Sequence, residues 1–286
     1  MTIRKILSQL CLGPILLFVA CSPEETSQPF STDDAKAVIL YTGSKGNGNP
    51  STRTTINEMG DVFWSTTDAI FVNGSSSSKT VVSNGGAYAE FSVNTSAPYS
   101  AVYPTSMVVD YSPYKDGWLY KLVLPETQPY KNTITFADGV NPSIAYSMNE
   151  NLTFQNLCGI LQVQIKANFT GVRSIRLASE DQYISGLSNV YVDGSSDAQS
   201  LQITDGKKTV DVVFEFDRTF SEYVPINISW VLPVGSYESG CTILLLDSEN
   251  KVLSRKTLDS FTIVRSKRTN LGELSFLETN EVILKR

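Results

Sequence analysis

No window longer than about ten residues carries the 3.6-residue spacing of an amphipathic helix; apolar residues alternate with polar ones or gather in short runs between turn formers. Leu161-Gln162-Val163-Gln164-Ile165 alternates cleanly, as do residues 172–177, and both patterns predict half-buried strands. Ala37-Val38-Ile39-Leu40-Tyr41 predicts a first strand, followed by a Gly/Ser/Asn-rich loop over residues 43–51. Residues 55–72 hold two strand candidates around a turn at Glu58-Met59-Gly60-Asp61. Residues 75–78 read as loop, and residues 79–91 as a hairpin turning at Asn84-Gly85-Gly86. Further strands are expected around residues 100–103, 118–124, 134–136, 210–216, 226–232, 242–246 and 261–264, with a turn at 247–250. Short strands separated by polar turns every 8–12 residues or so are the signature of sandwiches, so the fold class is all-β. A break near residues 148–151 divides the chain into two tandem β-sandwich domains, 35–150 and 151–286.

The N-terminus belongs to a different kind of segment. Arg4 and Lys5 precede an apolar stretch from Ile6 to Ala20, interrupted by Ser8, Gln9, Gly13 and Pro14. It is shorter than the roughly 20 apolar residues of a comfortable span and has the layout of a secretory signal over residues 1–20. Leu17-Phe18-Val19-Ala20-Cys21 resembles a bacterial lipobox, with Phe18 where leucine is usual. Cys21 would then carry the acyl chains, palmitate among them, and become the new N-terminus; two or three chains anchor a protein stably. An ordinary cleaved signal with an incidental cysteine is the alternative. Ser22, Glu24 and Glu25 resemble the surface-export signal of Gram-negative lipoproteins, which implies outer-membrane anchoring with exposure to the outside. Residues 21–34 read as a polar tether from the lipid.

Composition removes several function classes. The 13 Tyr and 13 Phe suit packed sheets, while charged residues make up 18% and the net charge is −6. The only basic run is Arg265-Ser266-Lys267-Arg268, which reads as edge-strand charge, so no nucleic-acid partner is expected. The chain has no histidine, which excludes Ser-His-Asp and Cys-His catalysis and most zinc sites. Cys11 lies in the leader, leaving Cys158 and Cys241 to pair in an oxidising compartment or to sit as buried small hydrophobes. Both begin apolar strand patterns, which favours buried thiols. Carboxylates at Glu180-Asp181, or at Asp211 with Glu215, would suit glycoside hydrolysis only at a set separation, and their spacing does not single them out. No enzyme activity, cofactor or metal is expected.

An ordered set of short motifs carries a resemblance. It begins with Thr52-Arg53-Thr54-Thr55, Gly60-Asp61-Val62-Phe63-Trp64 and Asp68-Ala69-Ile70, then Tyr99-Ser100-Ala101-Val102-Tyr103-Pro104. Leu124-Pro125, Gln128, Phe136 and Ala145 follow, then Leu152-Thr153-Phe154-Gln155-Asn156-Leu157-Cys158, Leu232-Pro233-Val234 and Tyr237, and a hairpin around Asp247. From about Ala35 to Leu274 the set resembles the fimbrillin family of surface lipoproteins. Each motif also has a packing role: Phe63, Trp64 and Tyr103 as core aromatics, Pro104, Pro125 and Pro233 as strand terminators, and Gly60 as a turn residue.

The resemblance implies transthyretin-like sandwiches and a structural or adhesive pilus subunit of the type V kind. It further implies assembly by strand donation, in which a protease removes the first strand and a strand from the next subunit fills the groove. Arg53 is the expected processing site, with Lys45 competing, and Val282, Ile283 and Leu284 the expected donor strand. Partners would be other pilus subunits, the outer membrane through the lipid, and host or microbial surface glycans or proteins. The alternatives are a pilus anchor or tip subunit, or a non-polymerising glycan-binding lipoprotein with Trp118 and Tyr120, beside Asp116-Gly117, as sugar platforms.

The lipobox reading is testable on its own. Cys21→Ala should abolish acylation and move the protein into soluble fractions; a mutant that stays with membranes, beside a wild type free of lipid by mass spectrometry, would refute it.

Overall fold

A computed structural model of the chain describes residues 37–43, 55–56, 62–115, 117–131, 136–194 and 201–276. Their regular structure is strand throughout, apart from single-turn 3-10 helices at Asn84–Gly86 and Thr105–Met107, so the fold is all-β as expected.

Strand Val38–Gly43 lies in a sheet ordered Asn151–Leu152, Val38–Gly43, Tyr88–Val93, Lys79–Ser83. A second sheet runs Gln155–Asn156, Ser143–Ser147, Tyr99–Tyr103, Phe71–Val72, Ser75–Ser76. Leu40, Phe91 and Val93 from the first and Val72, Ala101 and Tyr103 from the second enclose a common core. Trp64 sits at its centre, edge-on to Phe91, Tyr103 and Phe154 at ring separations of 5.2, 5.3 and 5.5 Å. The expected hairpin turns where predicted, on Asn84, Gly85 and Gly86 at φ 49, 63 and 91°. Glycine adopts that left-handed backbone without steric cost, and at Gly86 a Cβ would stand 2.5 Å from the Trp64 carbonyl oxygen. Thr55–Ile56 pairs with Val62–Phe63 across the expected turn. Ser75–Ser76, expected as loop, is a short strand against Phe71–Val72.

Tyr99–Tyr103 is buried at every position. Tyr99, Ala101 and Tyr103 point into the core just described, whereas Val102 enters a middle core with Tyr120, Leu122, Leu124, Cys158, Ile160, Val190 and Val231. That core is covered by a sheet ordered Ile203–Lys207, Ser185–Val192, Gly117–Leu124, Val108–Tyr114. The third and largest core lies between two more sheets. One is ordered Thr127–Pro129, Thr209–Arg218, Val172–Ser179, Cys241–Leu246, Val252–Leu258. The other is Ile226–Pro233, Cys158–Ala167, Arg268–Phe276.

The alternation at residues 161–165 proves only partly a half-buried pattern. Leu161, Val163 and Ile165 enter the third core, but Cys158 and Ile160 serve the middle core on the opposite face, and Gln162 is buried too. A strand covered on both sides loses its polar face at the covered end, and only Gln164 and Lys166 stay partly exposed. Arg268–Phe276, by contrast, carries no readable alternation. It pairs in parallel with Cys158–Ala167 through an irregularity between Gln162 and Gln164, where Leu271 and Gly272 fall out of register. Such a bulge shifts the side-chain period by one residue. The pairing runs past Leu274, where the resemblance ends, since Ser275 and Phe276 pair with Lys166 and Ala167. Of the candidate at residues 134–136, Ile134 lies outside the described residues and Phe136 is buried without being in a strand.

Hydrogen-bonded pairing crosses residue 150 repeatedly. Val38–Gly43 pairs with Asn151–Leu152, Ser143–Ser147 with Gln155–Asn156, Gly117–Leu124 with Ser185–Val192, and Thr127–Pro129 with Thr209–Arg218. Pro104 and Pro125 follow the last residues of their strands and Pro233 is itself the last, as terminators should. Between them Gln128, 1% exposed, grips the backbone of a single residue, Val231. Its Nε2 donates to the Val231 carbonyl at 3.0 Å and its Oε1 accepts the Val231 N–H at 2.9 Å. The side chain thus completes the backbone pairing of a residue buried in the middle core.

Gln128→Ala strands both Val231 groups away from water, at roughly 1–3 kcal/mol each. Urea unfolding should register a loss of about 2–4 kcal/mol. Glu126→Ala, which removes only the exposed Lys207 ion pair, should cost less than about 1 kcal/mol; equal losses would deny the clasp its role.

Candidate functional site

The first strand has the geometry of a separable element. Val38–Gly43 pairs antiparallel along its whole length with Tyr88–Val93, from Val38 opposite Val93 to Gly43 opposite Tyr88. On its other edge Tyr41 and Thr42 pair in parallel with Asn151 and Leu152, and the Tyr41 N–H donates to the Glu150 carbonyl at 2.7 Å. Period-two alternation divides its side chains. Leu40 and Thr42 are buried, while Ile39 and Tyr41 face outward, each 44% exposed. Beneath Leu40 lie Phe91, Trp64, Leu152 and Phe154 of the first core. Withdrawing this strand would bare one edge of Tyr88–Val93 and open an apolar groove. A strand of matching alternation would satisfy both.

Cys21, Lys45, Arg53 and the donor candidates Val282, Ile283 and Leu284 lie outside the described residues. What is described is the first strand seated in its sheet. Sequence pattern placed the first strand at residues 37–41, one residue early at its start and two short at its end, because an unbroken apolar run marks it. That it is paired on both edges depends on Asn151–Leu152, a strand too short to announce itself.

The proposed sugar platform is corrected at Tyr120. Its ring is fully buried in the middle core and its hydroxyl donates to the Ser100 carbonyl at 2.6 Å. Trp118 is half-buried, stacked on Tyr120 at 6.4 Å and beside Tyr111 at 5.9 Å. Of the carboxylates, Asp211 holds Arg176 through Nε at 2.7 Å and Nη2 at 2.8 Å. Asp181 accepts the Ser239 N–H at 2.9 Å, and hydrogen bonding from Ser239 holds its carboxyl below the usual range. Both acids thus have structural partners. Among the described residues no cluster of three or more His, Cys, Asp or Glu could hold a metal ion, and no helix is long and apolar enough to cross a membrane.

Cys158 and Cys241 are free, buried thiols in different cores. Burial pushes the Cys158 thiol far above its ordinary range and the Cys241 thiol up to about 12. Neither has the thiolate character that nucleophilic chemistry needs.

No family model matches the chain, and no curated protein matches it in sequence. Among solved structures it is similar to one described as a putative cell adhesion protein from Bacteroides ovatus. The identity is 10%, the match covers 83% of this chain and 92% of that one, and the TM-score is 0.46. A second, so described from Bacteroides uniformis, is 11% identical over 84% of this chain and 94% of its own, with a TM-score of 0.42.

The buried hydroxyl and thiol make stability sensitive to alkali. Burial raises Tyr120 from 10.0 to about 12 and Cys241 from 9.0 to about 12. The unfolded chain releases these protons first, so their contribution is intact below pH 9 and is lost as pH rises toward 12. The thermal midpoint should hold between neutrality and pH 9 and fall steeply above it. A flat profile to pH 12 would contradict the burial of both groups.

Proposed function

We propose that this chain is a fimbrillin-like, lipid-anchored surface subunit that acts in adhesion and assembles into filaments by strand donation. The observation that supports the reading is the placement of Val38–Gly43: an N-terminal strand, paired on both edges, whose Leu40 fills one core. Proteolysis at Arg53, or at Lys45, would sever it from the body of the fold beyond its last residue, Gly43. The remaining subunit would present an open backbone edge on Tyr88–Val93 and an unfilled Leu40 socket. An incoming strand regains the ladder and the apolar burial at once, which is the physical logic of strand addition. Val282-Ile283-Leu284 supplies three consecutive apolar residues beyond the final described strand.

Processing and donation separate on two variants. Arg53→Gln with Lys45→Gln should yield an uncut chain that stays monomeric. Deleting residues 279–286 should leave a cut, folded subunit that fails to enter boiling-sensitive polymers. N-terminal sequencing of surface-purified protein reports the cut, and unboiled gels report the polymer. A deletion that lowers the monomer's thermal midpoint by many degrees would make the tail an intrinsic edge strand, since each large apolar side chain lost from a core costs about 1.5–3 kcal/mol. Filaments built from the uncut double variant would overturn removal of the first strand as the trigger.

A further inference from the structure

A cleft of about 710 Å³ opens on the outer side of the first sheet, at the end of the first strand. Tyr41, Tyr88 and Tyr146 supply its aromatic walls, and Glu90, Asn149 and Asn151 its polar ones. Register places the first group together. Tyr41 stands opposite Glu90 and opposite Asn151, so these three side chains share one face across neighbouring strands. Tyr88 lies two residues from Glu90 and therefore on the same face. Tyr41 and Tyr88 are 44% and 41% exposed, so both rings are open to a ligand on this face.

The polar wall is braced. Asn149 N–H donates to Ser147 Oγ at 3.1 Å, and Asn149 Oδ1 accepts the Asn151 N–H at 3.0 Å. Using the oxygen in the turn fixes the amide so that its NH₂ donors are the end left over for other work. Tyr146 is held from the same side, its hydroxyl donating to Met148 Sδ at 3.6 Å. Rigid aromatic and amide groups lose little conformational entropy on binding.

Charge narrows the ligand. Among the described lining residues Glu90 is the only carboxylate, and none is lysine or arginine. Phosphate, sulfate and carboxylate ligands would meet one repelling carboxylate and no cation among these residues. A ligand with flat apolar C–H faces for the tyrosines and hydroxyls for Glu90 and the two asparagines meets every wall. We infer that this cleft is a binding site for neutral saccharides, of the size of a short oligosaccharide. The inference goes beyond the assembly reading and concerns the uncut chain, because removal of Val38–Gly43 would take Tyr41 out of the cleft.

The test uses the full-length chain in a detergent without a sugar headgroup. Neutral hexose and N-acetylhexosamine oligosaccharides are titrated by calorimetry and saturation-transfer NMR, beside sialylated and sulfated counterparts. At least one neutral oligosaccharide should bind with Kd on the order of 1 mM or tighter. Tyr41→Ala and Tyr88→Ala should each weaken it about tenfold. Glu90→Gln, which keeps the shape of the wall, should weaken it less, Tyr41→Phe should retain it, and Tyr111→Ala on a distant strand should leave it unchanged. Melting curves confirm that each variant is folded. The site is overturned if no neutral oligosaccharide binds, if anionic ones bind as tightly, or if folded Tyr41→Ala and Tyr88→Ala proteins bind as the wild type does.

Discussion

The fold hangs on the segment between Gly117 and Pro129, which is lent to sheets built mostly from later residues. Gly117–Leu124 pairs with Ser185–Val192, and Thr127–Pro129 pairs with Thr209–Arg218. A strand inserted at such sequence distance must regain in hydrogen bonds and burial the entropy of closing a long loop. Tyr120, Leu122 and Leu124 supply the burial, all fully enclosed. Gln128 supplies the lock, because its amide satisfies both the N–H and the carbonyl of Val231 inside the protein. Without it, a buried backbone donor and acceptor would face each other's absence in a medium where neither can turn to water.

From that constraint the layering follows. Sheets that meet on both faces need strands apolar on both faces, and Tyr99–Tyr103 and the beginning of Cys158–Ala167 are such strands. Their two sides feed different cores, so the middle core couples the first and the third through shared backbone. Several of the polar atoms caught in these layers are answered by neighbours. Ser100 donates to the Val192 carbonyl and its own carbonyl accepts from Tyr120, and the Asp68 carboxylate accepts from Tyr103 at 2.9 Å and from the Ser65 N–H at 2.6 Å. The cysteines are absorbed in the same way, as small apolar fillers.

The first strand stands apart from this interlocked body. It closes only the first core, from the edge where Asn151–Leu152 makes a short contact. Val38, Leu40 and Thr42 turned inward, with its ladder to Tyr88–Val93, hold it, and the same strand carries Tyr41 outward to the cleft. A single element thus links the interior that assembly would exploit with the surface a ligand would meet. Replacing it with a foreign strand would replace Tyr41 as well, so occupancy of the groove and composition of the cleft are physically joined.

Alternation and turn chemistry were enough to establish the class and much of the strand inventory. The hairpin on Asn84-Gly85-Gly86, the first strand, and strands Thr209–Arg218, Ile226–Pro233 and Cys241–Leu246 are all legible, because their apolar residues alternate or gather in short runs bounded by polar turn residues. The prolines after Tyr103 and Leu124 mark strand ends by removing a donor. Val108–Tyr114 and Arg268–Phe276 were not legible. The first is exposed at nearly every position, and the second has its period broken by a bulge, so neither carries the signal that burial writes into a sequence. The site divides along the same line. That a strand near residue 40 exists is local information. Its pairing partners, the burial of Tyr120 and the meeting of Tyr41, Tyr88 and Asn149 in one cleft join residues far apart in the chain. Short-range pattern records which face of a strand is apolar; which apolar face meets it, and which polar groups are brought together around it, is decided only when the sheets close.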